Sequence, residues 1–177
     1  MKQTISALPL QHIFDLGGLS QAGSTVEVAA HGDELARIAQ WAGLDAVRAF
    51  GGRIALRRIS QSRYGFEADL EADVVQSCVI TLEPVESHIA RHISRELLLA
   101  PNAIPEAGEL TLSAGDDDVP EMLDSLDYDL AAPLLEEFVL AIDPYPRKAG
   151  AAFLPPAEPQ DAPESPFAAL KALKKQD

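Results

Sequence analysis

The sequence predicts an α+β fold: a curved antiparallel β-sheet, or a partly closed barrel, packed by two helices and followed by a flexible C-terminal tail. Three observations point there. Residues 64–75 alternate, with Tyr64, Phe66, Ala68, Leu70, Ala72 and Val74 facing one way and Glu67, Asp69, Glu71 and Asp73 the other. A period of two held over that length is a long antiparallel strand with one wet face. Two other segments, 33–42 and 129–142, carry apolar residues at helical spacing. Beyond 143 the periodicity gives way to proline, with seven between 144 and 166.

In chain order, residues 4–16 and 24–30 read as short strands, and Thr25-Val26-Glu27-Val28-Ala29 has the alternation of a half-buried one. Asp33 is a natural N-cap for a helix whose Leu35, Ile38, Ala39 and Ala42 share a face, with Gly43 where the chain must turn left-handed. Trp41, at the edge of that face, is expected to pack in the core. Strands then run through 46–50, 54–59 and 64–75, with turns expected at Gly51-Gly52 and at Gln61-Ser62. The segment Gln76–Val85 is the elbow of a hairpin. Pro84 belongs at that hairpin because proline cannot donate to a ladder. A further strand follows through Ile89 and Ile93 to Leu99.

Residues 100–126 are acidic and interrupted by Pro101, Pro105, Gly108, Gly115 and Pro120, which suits a surface excursion. Asp129 then caps a helix through Ile142, with Leu130, Leu134, Leu135, Phe138, Val139 and Ile142 as its core stripe. Pro133 falls in the first turn, where a missing N–H does little harm. The expected organisation is one α+β domain over 1–143, a proline-rich linker over 144–166, and a short amphipathic tail over 167–177. That tail has only Phe167, Leu170 and Leu173 as apolar anchors, so it is expected to dock on its own domain or on a partner.

Composition narrows the function. The chain has 177 residues, a net charge of −14 and a single cysteine, which excludes an internal disulfide and fits a reducing compartment. The N-terminus lacks the apolar run of a signal peptide, and no stretch approaches the roughly 20 apolar residues of a membrane helix, so a soluble cytoplasmic protein without a membrane partner is expected. An acidic surface opposes loose binding to phosphates. The charge is segregated, however. Residues 46–63 contain Arg48, Arg53, Arg57, Arg58 and Arg63 and no acid, whereas 96–146 contain thirteen acids and no Lys or Arg. The arginines are a candidate RNA contact, since a guanidinium fork matches phosphate oxygens, or else ordinary solvent-facing strand positions. The acids Asp116, Asp117, Asp118, Glu121, Asp124 and Asp127 are a candidate contact for a basic protein, or else simple solubility.

No enzyme is indicated. Cys78 lies between Val74-Val75 and Val79-Ile80, which suggests a buried, inert thiol with no activating base. His88 and His92 fall on a strand, where residues four apart are separated by roughly 13 Å, too far to share a metal ion. A structural zinc site commonly uses two to four thiolates, and only one is present. There is no phosphate-binding glycine loop and no nucleophile elbow, so neither metal nor cofactor is expected.

The run Arg63–Val85, with Gln76-Ser77-Cys78 and Leu82-Glu83-Pro84-Val85, resembles the YceD family. So do Asp127-Tyr128-Asp129-Leu130 before an acidic-apolar helix and the closing Ser165-Pro166-Phe167-Ala168-Ala169-Leu170-Lys171. Many members carry Cys-x-Arg-Cys at the elbow; here Ile80 and Thr81 replace the arginine and second cysteine, so a role for paired cysteines does not apply. The resemblance implies a non-enzymatic factor needed for accumulation of large-subunit (23S) ribosomal RNA. The leading expectation is support of accumulation or processing of that RNA by binding it or its precursor through the arginines. The alternative is that the acidic segment holds a basic ribosomal protein, with indirect effects on the RNA; Phe167, Leu170 and Lys171 are the expected docking residues of the tail.

Overall fold

In the computed structural model, residues 8–100 and 120–153 are described. They form β1 (Ile13–Asp15), a 3-10 turn (Leu16–Gly18), β2 (Ser24–Ala29), α1 (Asp33–Ala42), β3 (Ala46–Arg58), β4 (Arg63–Ser77), β5 (Pro84–Leu99), β6 (Glu121–Leu123), β7 (Asp127–Asp129) and α2 (Ala131–Ala141). The main sheet has the order β2-β3-β4-β5-β6 and stays open, so the barrel alternative is not realised. All its pairings are antiparallel except the last, where Leu97–Leu99 of β5 run parallel to β6. β1 and β7 form a separate antiparallel ribbon. Asp116–Asp118 and the tail residues Phe167, Leu170 and Lys171 lie outside the described residues.

The long alternating strand falls where its pattern puts it. Tyr64, Phe66, Ala68, Leu70, Ala72 and Val74 are all buried, and the acids between them are exposed. Gly51-Gly52 is not a turn: it lies in the middle of β3, opposite Glu71 and Leu70. The glycines answer to crowding. A Cβ on Gly51 would sit 2.8 Å from the Val28 carbonyl oxygen, and one on Gly52 would sit 3.0 Å from a Leu134 methyl. The reversal comes at Ser60–Ser62, where the N–H groups of Ile59 and Ser60 donate to the Arg63 carbonyl. Between Val47 and Ala49 a bulge leaves Arg48 as the extra residue.

Both helices begin one step from where the sequence places them. Gly32 occupies the N-cap of α1 at φ 52°, and Asp33 is already helical. Glu34 reaches back to accept from the His31 N–H at 3.0 Å, in the manner of a capping box. Gly43 ends the helix at φ 69° as expected. Trp41 is 37% exposed and does not join the core. At 100° per residue it sits roughly 110° from the centre of the stripe formed by Leu35, Ile38, Ala39 and Ala42, which turns it to the rim. Before α2, Asp129 Oδ1 accepts from the N–H groups of His12 (2.8 Å) and Ala131 (3.1 Å), joining the N-terminal segment to the helix start. The α2 stripe ends sooner than expected. Leu134, Leu135 and Phe138 are buried, while Val139 is 42% exposed. Leu134 covers Gly52, and Phe138 meets Phe50 edge to face at 5.3 Å, so α2 lies on the apolar side of the sheet.

Candidate interaction surface

The register of the sheet decides where its charges meet. Cross-strand partners in an antiparallel pair share a face, so Glu27, Arg53, Asp69 and His92 form one row across β2, β3, β4 and β5. Arg48, Arg53, Arg57 and Arg63 all stand on this wet face, yet none forms part of a free cationic strip. Arg48 pairs with Glu86 at 2.6 Å, Arg53 with Glu27 at 3.1 Å, Arg57 with Glu67 at 3.9 Å and Arg63 with Glu96 at 2.6 Å. Arg58 is opposite Tyr64, at the hairpin end, and donates to the Ser60 carbonyl. Arg57 also lies over Gly65, where a Cβ would fall 2.8 Å from its Nε.

His92 Nδ1 is 2.8 Å from Asp69, and His88 Nδ1 is 2.8 Å from Asp73. Each histidine therefore has its own cross-strand carboxylate, consistent with their placement four apart on a strand. Between these pairs, Glu71 has no ion-pair partner among the described residues. Carboxylates outnumber guanidiniums on the face as a whole. An open depression of about 770 Å³ lies there, bordered by Glu27, Arg48, Arg53, Asp69, Glu71 and Asp73.

The acids of the expected partner segment do not act alike. Asp124 and Asp127 are exposed, and Asp127 lies opposite Asp15 in the β1–β7 ribbon. Glu121 instead belongs to a half-buried cluster that sequence reasoning missed. Arg95, 23% exposed, meets Glu136 at 2.8 Å, Glu121 at 3.4 Å and Glu137 at 3.8 Å, while the Tyr128 hydroxyl donates to Glu121 at 3.0 Å. Partial burial works against the charge on Arg95, but Glu136 and Glu121 outweigh it and hold the guanidinium above its ordinary value. Burial, followed by the Glu121 charge, pushes the Tyr128 phenol well above its own. The cluster joins β5, β6 and α2. Its one signal in the sequence is that Arg95 falls in the alternating phase of the apolar Ile89, Ile93 and Leu97.

The elbow is also more polar than its neighbours suggest. Cys78 is buried as expected, but its Sγ accepts from the backbone N–H groups of Lys148 (3.4 Å) and Thr81 (3.5 Å). These donors, Lys148 first, pull the thiol down to about 6. The segment after α2 supplies more of the clasp. The Asp143 carbonyl accepts from Gln76, the Pro146 carbonyl accepts from the Val79 N–H, and Lys148 Nζ pairs with Glu83 at 3.0 Å. The stretch read as a linker from 144 onward thus begins as a strap across the elbow. Among the described residues, no three His, Cys, Asp or Glu side chains converge as a metal site, and no helix is long and apolar enough to cross a membrane.

These features define an α+β protein with a polar sheet face and a clasped hairpin. The sequence pattern of the family described as large ribosomal RNA subunit accumulation protein YceD matches residues 66–174, from β4 through α2 and beyond. The chain belongs to that family. No curated protein and no solved structure matches it.

Proposed function

We propose that this protein is a non-catalytic ribosome-biogenesis factor, acting in the cytoplasm, that supports accumulation of large-subunit (23S) ribosomal RNA by holding a basic ribosomal protein. Its family carries the first part of this reading. The second rests on one observation: the wet face of the sheet has its arginines paired to carboxylates and retains an excess of acid. Such a face attracts Lys- and Arg-rich protein and repels bare phosphate. Depleting the protein should lower large-subunit rRNA relative to small-subunit rRNA. A tagged copy should retain basic ribosomal proteins after nuclease treatment; recovery of RNA with no protein would sink the partner assignment.

A second reading, direct RNA contact through Arg48, Arg53, Arg57, Arg58 and Arg63, draws on four of these side chains sharing one face. Exposed ion pairs are worth only about 0–1 kcal/mol each, so phosphates arriving together can displace the carboxylates. Changing the five arginines to Glu and measuring affinity for large-subunit rRNA fragments tests it. Unchanged affinity and salt slope would remove the arginines from the mechanism.

A further inference from the structure

One long edge of the main sheet is unpaired among the described residues. Among the described residues, β6 covers only Leu97–Leu99, so β5 has β4 on one side and no strand on the other from Val85 to Glu96. At about 3.3 Å per residue this leaves roughly 40 Å of strand edge. Sheets usually blunt such edges with proline, lysine or other charged side chains, inward-pointing charges or a bulge; here Arg91 and Arg95 stand in register with the buried Leu70 and Phe66. Residues 85–96 contain neither proline nor lysine, and the β4–β5 register runs without a shift. Among the described residues, the Arg91 guanidinium donates to one β5 carbonyl, that of Ala90, at 3.0 Å.

The chemistry beside this edge is specific. The register sets Ala90, a small exposed side chain, next to Glu71 on the wet face. Asp69 and Asp73 flank Glu71 and are each engaged by a histidine, whereas Glu71 has no ion-pair partner among the described residues. A strand added to β5 would lie about 4.8 Å beyond it and roughly 9.6 Å from β4. A lysine or arginine on that strand would pass over the Ala90 methyl group and meet the Glu71 carboxylate, a gap that two long side chains close together. A second copy of this chain would bring another net charge of −14 against the same face.

We propose that the open edge of β5 takes up an extended basic segment of a partner protein as an added strand, with a Lys or Arg opposite Ala90 paired to Glu71. The backbone would supply affinity and the alternate side chains selectivity, as in other strand-addition complexes. This rests on the basic-partner reading above and says where the partner binds.

The test uses the full chain, isotope-labelled, and a synthetic peptide of alternating lysine and valine about twelve residues long. Edge-facing β5 amides should exchange freely in the protein alone and slow by at least about tenfold with peptide. A peptide of equal charge with two central valines changed to proline should bind at least about tenfold more weakly, because it cannot complete the ladder. Glu71→Gln should weaken binding by about threefold or more, and Ala90→Arg should block the approach to Glu71. Equal affinity for the proline peptide, indifference to Glu71→Gln, or β5 amides already slow without peptide would overturn the proposal. The last result would mean that the chain covers its own edge. Capture from cells separates this from the broader reading: basic proteins retained equally by wild type and Ala90→Arg refute the edge alone, whereas none retained by either refutes the basic partner itself.

Discussion

Gly51→Ala turns the placement of the double glycine into a measurement of sign. At a position with room, replacing glycine by alanine stabilises a protein by about 0.4–1 kcal/mol, because the unfolded chain loses freedom. Gly51 has no such room: the added methyl would lie 2.8 Å from the backbone carbonyl oxygen of Val28. Reaching an ordinary contact of about 3.4 Å requires β2 to move by roughly 0.6 Å, and Val28 is itself a buried core residue that resists the movement. Overpacking of this kind costs about 1–3 kcal/mol, so the expected net loss is about 1–2 kcal/mol after the entropic gain. For a chain of this size that lowers Tm by about 2–8 °C. Urea unfolding is the assay, with Gly18→Ala as control, since the nearest atom to a Cβ there is Asp15 Oδ2 at 3.7 Å. Gly18→Ala should be neutral or stabilising. A Gly51→Ala protein as stable as wild type, beside a well-behaved control, would refute the close approach of β2 and β3 at this residue.

Cys78 carries a pH dependence of definite sign. Its folded value of about 6 lies below its ordinary value of 9.0, so the native state loses the proton first as pH rises. Between those values the unfolded chain holds more protons, and stability should climb from about pH 6 to pH 9 and be lost as pH falls through 6. Cys78→Ser should flatten that rise, and thiolate absorbance near 240 nm should titrate with a midpoint near 6; a midpoint near 9 would remove the effect. At the half-buried cluster, Arg95→Gln should cost about 1–2 kcal/mol, discounted for its partial exposure. A double-mutant cycle with Glu136→Gln should return a coupling of about 0.5–1.5 kcal/mol, and additivity would show that the pair contributes nothing specific.

The long elements were legible because each declares itself over many residues. Six buried side chains at alternate positions mark β4, and repeated apolar positions mark α1 and the first half of α2. β6 and β7 were not legible. Three residues give no periodicity, and both strands exist because β5 and β1 offer an edge to pair with. Gly51-Gly52 misled because local chemistry alone suggests a turn. The need for close approach comes from Val28 and Leu134, far away in the sequence. Cys78 misled in the same way: its apolar sequence neighbours say nothing of the Lys148 N–H that reaches it from 70 residues on.

The arginine window marks the deeper limit of reading function from local charge. Residues 46–63 are basic only along the chain. In the sheet, Glu27 comes from the strand before them, Glu67 from the strand after, and Glu86 and Glu96 from one strand beyond that. Antiparallel pairing folds an acid-free segment against acidic ones, so the quantity a partner meets is the charge of a row across strands. By that measure the distinctive residue is Glu71. It is unremarkable among its alternating neighbours in the sequence, yet in the fold it is flanked by two engaged aspartates and faces the small Ala90 beside an edge that no described strand covers.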